Sequence, residues 1–150
     1  MTTAAQRIGI AVVLSHDGTG CLVGIRPPET PLGGMLEFPG GKCLPDETPR
    51  EAALRECLEE TGIPIDSLRQ LQECTCNYDH GRVELHFWLC RPRDADLPSP
   101  ADPFAWAPLG ELEAERFPEA NGRVIKWLVE ATLSLEQLTA GDQTESTHEA

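Results

Sequence analysis

Basic residues are scarce in this chain. Its 150 residues carry 12 Lys and Arg against 25 Asp and Glu, a formal net charge of −13 and a pI near 4.6. Binding a nucleic-acid polymer requires a basic footprint that neutralises phosphates, so that class of partner is excluded. A small nucleotide is not excluded, provided metal ions bridge the two anions. Long apolar runs are also missing. None approaches the roughly 20 residues that span a bilayer, and no membrane partner is expected. Ile8 to Leu14 is a short apolar run with one Arg before it and no small-residue cleavage site after it, so it reads as a buried strand rather than a secretion signal. The six cysteines, Cys21, Cys43, Cys57, Cys74, Cys76 and Cys90, fit no zinc spacing. They read as reduced thiols of a cytoplasmic protein, with Cys74 and Cys76 on one face of a strand. Internal repeats and a second domain are absent.

What remains is an ordinary globular composition, 40% hydrophobic and 25% charged. The length suits one domain that buries about 68–70% of its unfolded surface. Ile8 to Ser15 and Cys21 to Arg26, joined by the turn sequence HDGTG, predict a hairpin. Leu36 to Phe38 is short and extended, and Pro39-Gly40-Gly41 reads as a turn. Leu68 to Cys76 and Val83 to Cys90 predict a second hairpin. Pro92 to Pro103 is a Pro-rich loop, Phe104 to Ala107 a short strand, and Leu109 to Arg116 a short helix. Ala120 to Leu138 is the last helix, with Val124, Ile125, Leu128 and Val129 at helical spacing. Thr139 to Ala150 is polar and patternless, and a disordered tail is expected there.

The most informative stretch is GKCLPDETPREAALRECLEETGI, Gly41 to Ile63. Thr48 is a good N-cap, Pro49 suits the first helical position, and Glu51 completes a capping box. Gly62 ends the helix. Leu54, Cys57 and Leu58 share one side. Glu56, Glu59 and Glu60 share another, at i, i+3 and i+4, where side chains are neighbours. A solvated acidic face is the bland explanation. Three crowded carboxylates also suit a hard divalent cation such as Mg²⁺, which prefers oxygen ligands, and the Gly-rich lead-in and the Arg55-Glu56 pair favour the metal.

The spacing of Gly41, Glu47, Arg55-Glu56, Glu59-Glu60, Gly62 and Ile63 resembles the Nudix box, with Cys57 in the slot usually held by an aliphatic residue. The resemblance implies an α/β (α+β) fold, an α/β/α sandwich around a mixed curved sheet, in a single domain over residues 1–138. It implies hydrolysis of a nucleoside diphosphate linkage that depends on Mg²⁺, with Mn²⁺ as the substitute. Metal ligation falls on Glu56, Glu59, Glu60 and a backbone carbonyl at Gly40. Arg55 is expected to pair with Glu47, and Glu56 is the first candidate for the general base. A further metal-serving glutamate of the family falls on Pro100, with Asp94, Asp96 or Asp102 as replacements from the same loop. Lys42 is either a phosphate contact or a solvated surface lysine.

The resemblance sharpens toward MutT-type enzymes. LEFPGGK, Leu36 to Lys42, matches their entry to the box, and RFPEANGRVI, Arg116 to Ile125, resembles their FPPAN segment. This places substrate contacts on Arg26, on Glu37, Phe38, Pro39 and Gly40, on Lys42, and on Asn121, whose amide offers both donor and acceptor to an oxidised guanine edge. Asn121 is equally placed to cap the last helix. A base-side histidine of the family is replaced by Pro31, and His16, His80 and His86 read as surface or strand residues. The implied substrate is 8-oxo-dGTP. The alternatives are cytidine triphosphate, a dinucleoside polyphosphate, or a non-catalytic nucleotide sensor. Protein partners are not indicated.

Overall fold

The computed structural model describes residues 5–79, 81–96 and 98–131. Strands β1 (Gln6–Val13), β2 (Gly20–Ile25), β3 (Leu36–Glu37) and β4 (Gly40–Lys42) precede helix α1 (Pro49–Thr61); β5 (Ile65–Tyr78), β6 (Gly81–Pro92) and β7 (Ala105–Pro108) follow. Three 3₁₀ turns lead to a final helix, α2, whose described part is residues 122–131. Residues 132–138 of the helix expected from the sequence, and the tail expected at 139–150, lie outside the described residues.

A four-stranded sheet has the order β4-β1-β6-β5, and a three-stranded sheet the order β3-β2-β7. The larger one is mixed: β1 runs parallel to β6 and antiparallel to β4. On one side Ala11, Val13 and Cys90 pack against Ala53 and Cys57 of α1. On the other, Val12, Phe87 and Phe117 pack with Val124, Ile125 and Leu128 of α2. This is the expected mixed, curved-sheet α+β architecture with a helix on each side. No helix among the described residues is long and apolar enough to cross a membrane.

Four local expectations differ from the structure. β1 and β2 do not form a hairpin. The described pairing between them is the isolated Leu14–Cys21 bridge just past β1, and the two strands belong to separate sheets. Both strands are buried (Ala11, Val12, Val13, Cys21 and Leu22 are fully buried), so each is flanked by long-range partners instead. Pro39-Gly40-Gly41 is not a turn throughout, because Gly40–Lys42 pairs with Ile8, Gly9 and Ile10. Leu58 is exposed, and Ala52, Ala53, Cys57 and Thr61 are the buried residues of α1. Leu109 to Arg116, expected as one helix, is two 3₁₀ turns, Leu109–Glu111 and Ala114–Arg116. The second hairpin stands and is longer than its sequence pattern, with β5 and β6 paired from Ile65–Pro92 to Tyr78–Gly81.

Small residues bring α1 onto the sheet. A Cβ on Gly9 would run into the Pro49 carbonyl and the Ala53 nitrogen. Gly9→Ala is therefore expected to cost about 1–3 kcal/mol through overpacking against fixed backbone. Urea unfolding checks this, and an unchanged midpoint would contradict the close approach.

Candidate active site

The loop before α1 and the helix itself form one hydrogen-bonded unit. Thr48 Oγ1 accepts from Glu51 N at 3.1 Å, and Glu51 Oε1 accepts from Thr48 N at 2.9 Å. Gly62 closes the helix at φ +79°, and its N–H donates to the Leu58 carbonyl. The acids thus project from a helix with both ends fixed.

Arg55 organises them. Its guanidinium grips Glu47 as a two-pronged fork, Nε to Oε2 at 2.7 Å and Nη2 to Oε1 at 2.8 Å. Nη1 donates to Glu56 at 2.9 Å and to Glu59 at 3.2 Å, and Nη2 donates to the Lys42 carbonyl at 3.1 Å. Hydrogen bonds from Arg55 hold the Glu47 carboxyl down to about 2, and the same contacts raise the basicity of Arg55. Lys42 presents an exposed residue to this site, and what the structure shows it supplying is its backbone oxygen.

Glu60 turns the other way. Its Oε1 accepts from the Gly40 N–H at 2.9 Å. Burial pushes its carboxyl up to about 7, and the charges of Glu56, Glu37 and Glu59 act in the same direction while the Gly40 N–H opposes them. Gly41 has no side chain for a direct reason: a Cβ there would occupy the place of the Glu56 carboxylate. The loop of residues 92–103 reaches the end of α1 through the Ala101 N–H, which donates to the Thr61 carbonyl at 2.9 Å. Its candidates Asp94, Asp96 and Asp102 are all exposed.

The remaining residues gather at the adjoining end of the smaller sheet. Phe38 and Pro39 are buried, and Phe38 stacks on Phe117 with ring centroids 5.2 Å apart. That contact joins the strand leading into the box to the segment carrying Asn121. Asn121 is buried, with Nδ2 donating to the Pro118 carbonyl at 3.2 Å. An open apolar groove lined by Leu32, Met35, Phe117 and Pro118 runs alongside. Arg26 is tied to Glu37 at 3.1 Å and to the Pro31 carbonyl at 3.0 Å. Burial raises the Glu37 carboxyl, and Arg26 opposes that shift. His80 lies outside the described residues. His16 contacts the Pro92 carbonyl at 2.7 Å. His86 is more than a surface or strand residue: it is buried between Glu73 and Glu84. The alternation of β6 alone gave no signal for that cluster, because Glu73 comes from another strand.

Residues 5–128 match the NUDIX domain family. The chain belongs to the Nudix family. It is 30% identical over 122 residues to the 8-oxo-dGTP diphosphatase of Escherichia coli K12, covering 80% of this chain and 95% of that protein. It is 43% identical over 79 residues to the CTP pyrophosphohydrolase of the same organism, covering 53% and 58%. Among solved structures, a MutT from a study of Aliivibrio salmonicida and Vibrio cholerae proteins superposes with a TM-score of 0.66 at 28% identity, covering 85% of this chain and 99% of that one. As a Nudix hydrolase the protein is an enzyme that works with a divalent metal. The donor set fits such an ion: three carboxylates at i, i+3 and i+4 of one helix, one of them raised by burial with its acidic neighbours adding to the shift.

Two outcomes follow from this geometry. A double-mutant cycle on Arg55→Ala and Glu47→Gln should give a coupling of about 1–3 kcal/mol in chemical unfolding, and no coupling would remove the fork from the account. The raised Glu60 carboxyl costs stability above pH 7, and that cost fades as pH falls toward its ordinary 4.5. In chelator-treated protein Glu60→Gln should therefore melt above the wild type at pH 8, with the gap closing by pH 5. Glu47, held low, contributes stability that persists to acid and is lost as pH falls from 4.5 through about 2. A gap independent of pH would contradict the Glu60 assignment.

Proposed function

We propose that this Nudix hydrolase cleaves 8-oxo-dGTP to 8-oxo-dGMP and pyrophosphate, one water being consumed, with Mg²⁺ as the ion and Mn²⁺ as a substitute. The observation that carries the substrate is the placement of Asn121. It is a buried amide on a segment locked to the box strand by the Phe38–Phe117 stack. The Escherichia coli relative matched over 95% of its length, named an 8-oxo-dGTP diphosphatase, supports the same reading. A buried amide that must pair with a base edge rejects an edge that leaves it unpaired.

Glu56, Glu59 and Glu60, with backbone at Gly40, would hold the metal. The bound ion supplies charge neutralisation on the phosphoryl oxygens and a more acidic water. The chain's residues do the rest. Arg55 sets the orientation of Glu56, which takes the proton of the attacking water. Glu47 keeps Arg55 in place and touches no substrate. Arg26 and the backbone from Glu37 to Gly40 line the nucleotide's path, and Lys42 meets phosphate oxygens from the edge of β4. Residues 1–138 act as one domain.

The test is a panel of 8-oxo-dGTP, dGTP and CTP with Mg²⁺, scored by pyrophosphate release. Wild type should prefer 8-oxo-dGTP, and Asn121→Ala should narrow its advantage over dGTP by about tenfold or more while slowing CTP little. A wild type with no preference, or a preference that survives Asn121→Ala, would sink the substrate reading. Glu56→Gln should lower kcat by about 10²–10⁴-fold with the chain still folded. Near-normal turnover would remove Glu56 as the base and leave the family assignment untouched.

A further inference from the structure

A second group of metal-type donors lies apart from the box. Glu73 on β5 stands directly across from His86 on β6, and Glu84 is two residues before His86 on the same face. His86 Nε2 lies 3.2 Å from Glu84 Oε1, and Nδ1 lies 3.3 Å from Glu73 Oε1. One ligand atom from each of the three residues falls within 4.8 Å of the others. Gln70 Nε2 stands 3.5 Å from Nδ1.

This group is separate from the catalytic acids. Gly41, Gly9 and His86 are aligned across the neighbouring strands β4, β1 and β6, so His86 and Gly41 are about 10 Å apart at two strand spacings. The first turns of α1 rest on Gly9 between them. His86 shares the α1 side of the sheet with Trp88 and Cys90, whereas Cys74 and Cys76 belong to the alternate face of β5.

We propose that Glu73, Glu84 and His86 form a second divalent-metal site, selective for a first-row transition ion of the zinc type and not for Mg²⁺. The donor chemistry decides the ion. An imidazole nitrogen with two carboxylates suits zinc, whereas Mg²⁺ favours oxygen and water. Ligands on a tetrahedral zinc at about 2.0–2.1 Å stand about 3.3 Å apart, close to the 3.2 Å between Nε2 and Glu84 Oε1. The ion binds Nε2 and Glu84. Glu73, whose side chain is 57% exposed, swings to supply the third donor, and water completes the shell. Gln70 turns its amide oxygen to accept from Nδ1–H, the outer-shell bond that fixes a ligating imidazole. The metal ties β5 to β6, each of which belongs to the sheet carrying the box.

The experiment is calorimetric titration of Zn²⁺ into chelator-stripped protein carrying Glu56→Gln and Glu60→Gln, in excess Mg²⁺, so that the box does not take the zinc. One Zn²⁺ per chain is expected, with a rise in melting temperature. Glu73→Gln and Glu84→Gln, both at partly exposed positions that tolerate the change, should each weaken binding about tenfold or more, and His86→Ala should abolish it. Cys74→Ser with Cys76→Ser should leave it intact. The absence of zinc binding, binding unchanged in Glu73→Gln and Glu84→Gln, or binding lost through the cysteines instead would each overturn the proposal.

Discussion

One guanidinium holds this site together. Arg55 makes five hydrogen bonds, to Glu47 twice, to Glu56, to Glu59 and to the Lys42 carbonyl. Those partners come from the entry loop, from β4 and from two turns of α1. Without it, the acids of the helix face would repel one another and Glu47 of the entry loop would lose its tie to the middle of the helix. A planar fork with fixed donor directions is needed for this, and a point charge on a flexible stem is not equivalent. Glu60 lies outside the clamp, and burial, with the charges of its acidic neighbours, raises its carboxyl.

The geometry of α1 against the sheet follows from the same economy of space. Gly9 admits the helix backbone, and Gly41 admits the Glu56 carboxylate. The box therefore sets two things together: which groups are charged and how near the backbone lies to them. The two hydrophobic clusters on either side of the larger sheet then hold α1 and α2 in place. The Phe38–Phe117 stack carries the order across to the segment with Asn121.

The box was legible because its signals are local. Thr48, Pro49, Glu51 and Gly62 each act within a turn of the helix, so capping and boundaries could be read directly from spacing. The pairing of β1 with β6, and the separation of β1 from β2, depend on partners 77 residues apart, such as Gln6 and Val83, and left no mark in the short-range pattern. The HDGTG turn suggested a hairpin because turn chemistry is local, while the buried strands beside it were claimed by partners from elsewhere. Leu58 differs for a related reason: helical periodicity marks a face, and here the small residues Ala53 and Cys57 take the buried side of α1 while Leu58 is exposed. Glu73, Glu84 and His86 lie on two strands joined only in the folded chain, so no spacing rule gathers them.

The central claim is that the Arg55 fork holds the box carboxylates where a divalent ion can use them. Mg²⁺ titration of chelator-stripped wild type and Arg55→Lys, with circular dichroism to show that both are folded, tests it most directly. Lysine keeps the charge and loses the fork. The account predicts Mg²⁺ affinity lower by about tenfold or more in Arg55→Lys; equal affinity in the two folded proteins would contradict it.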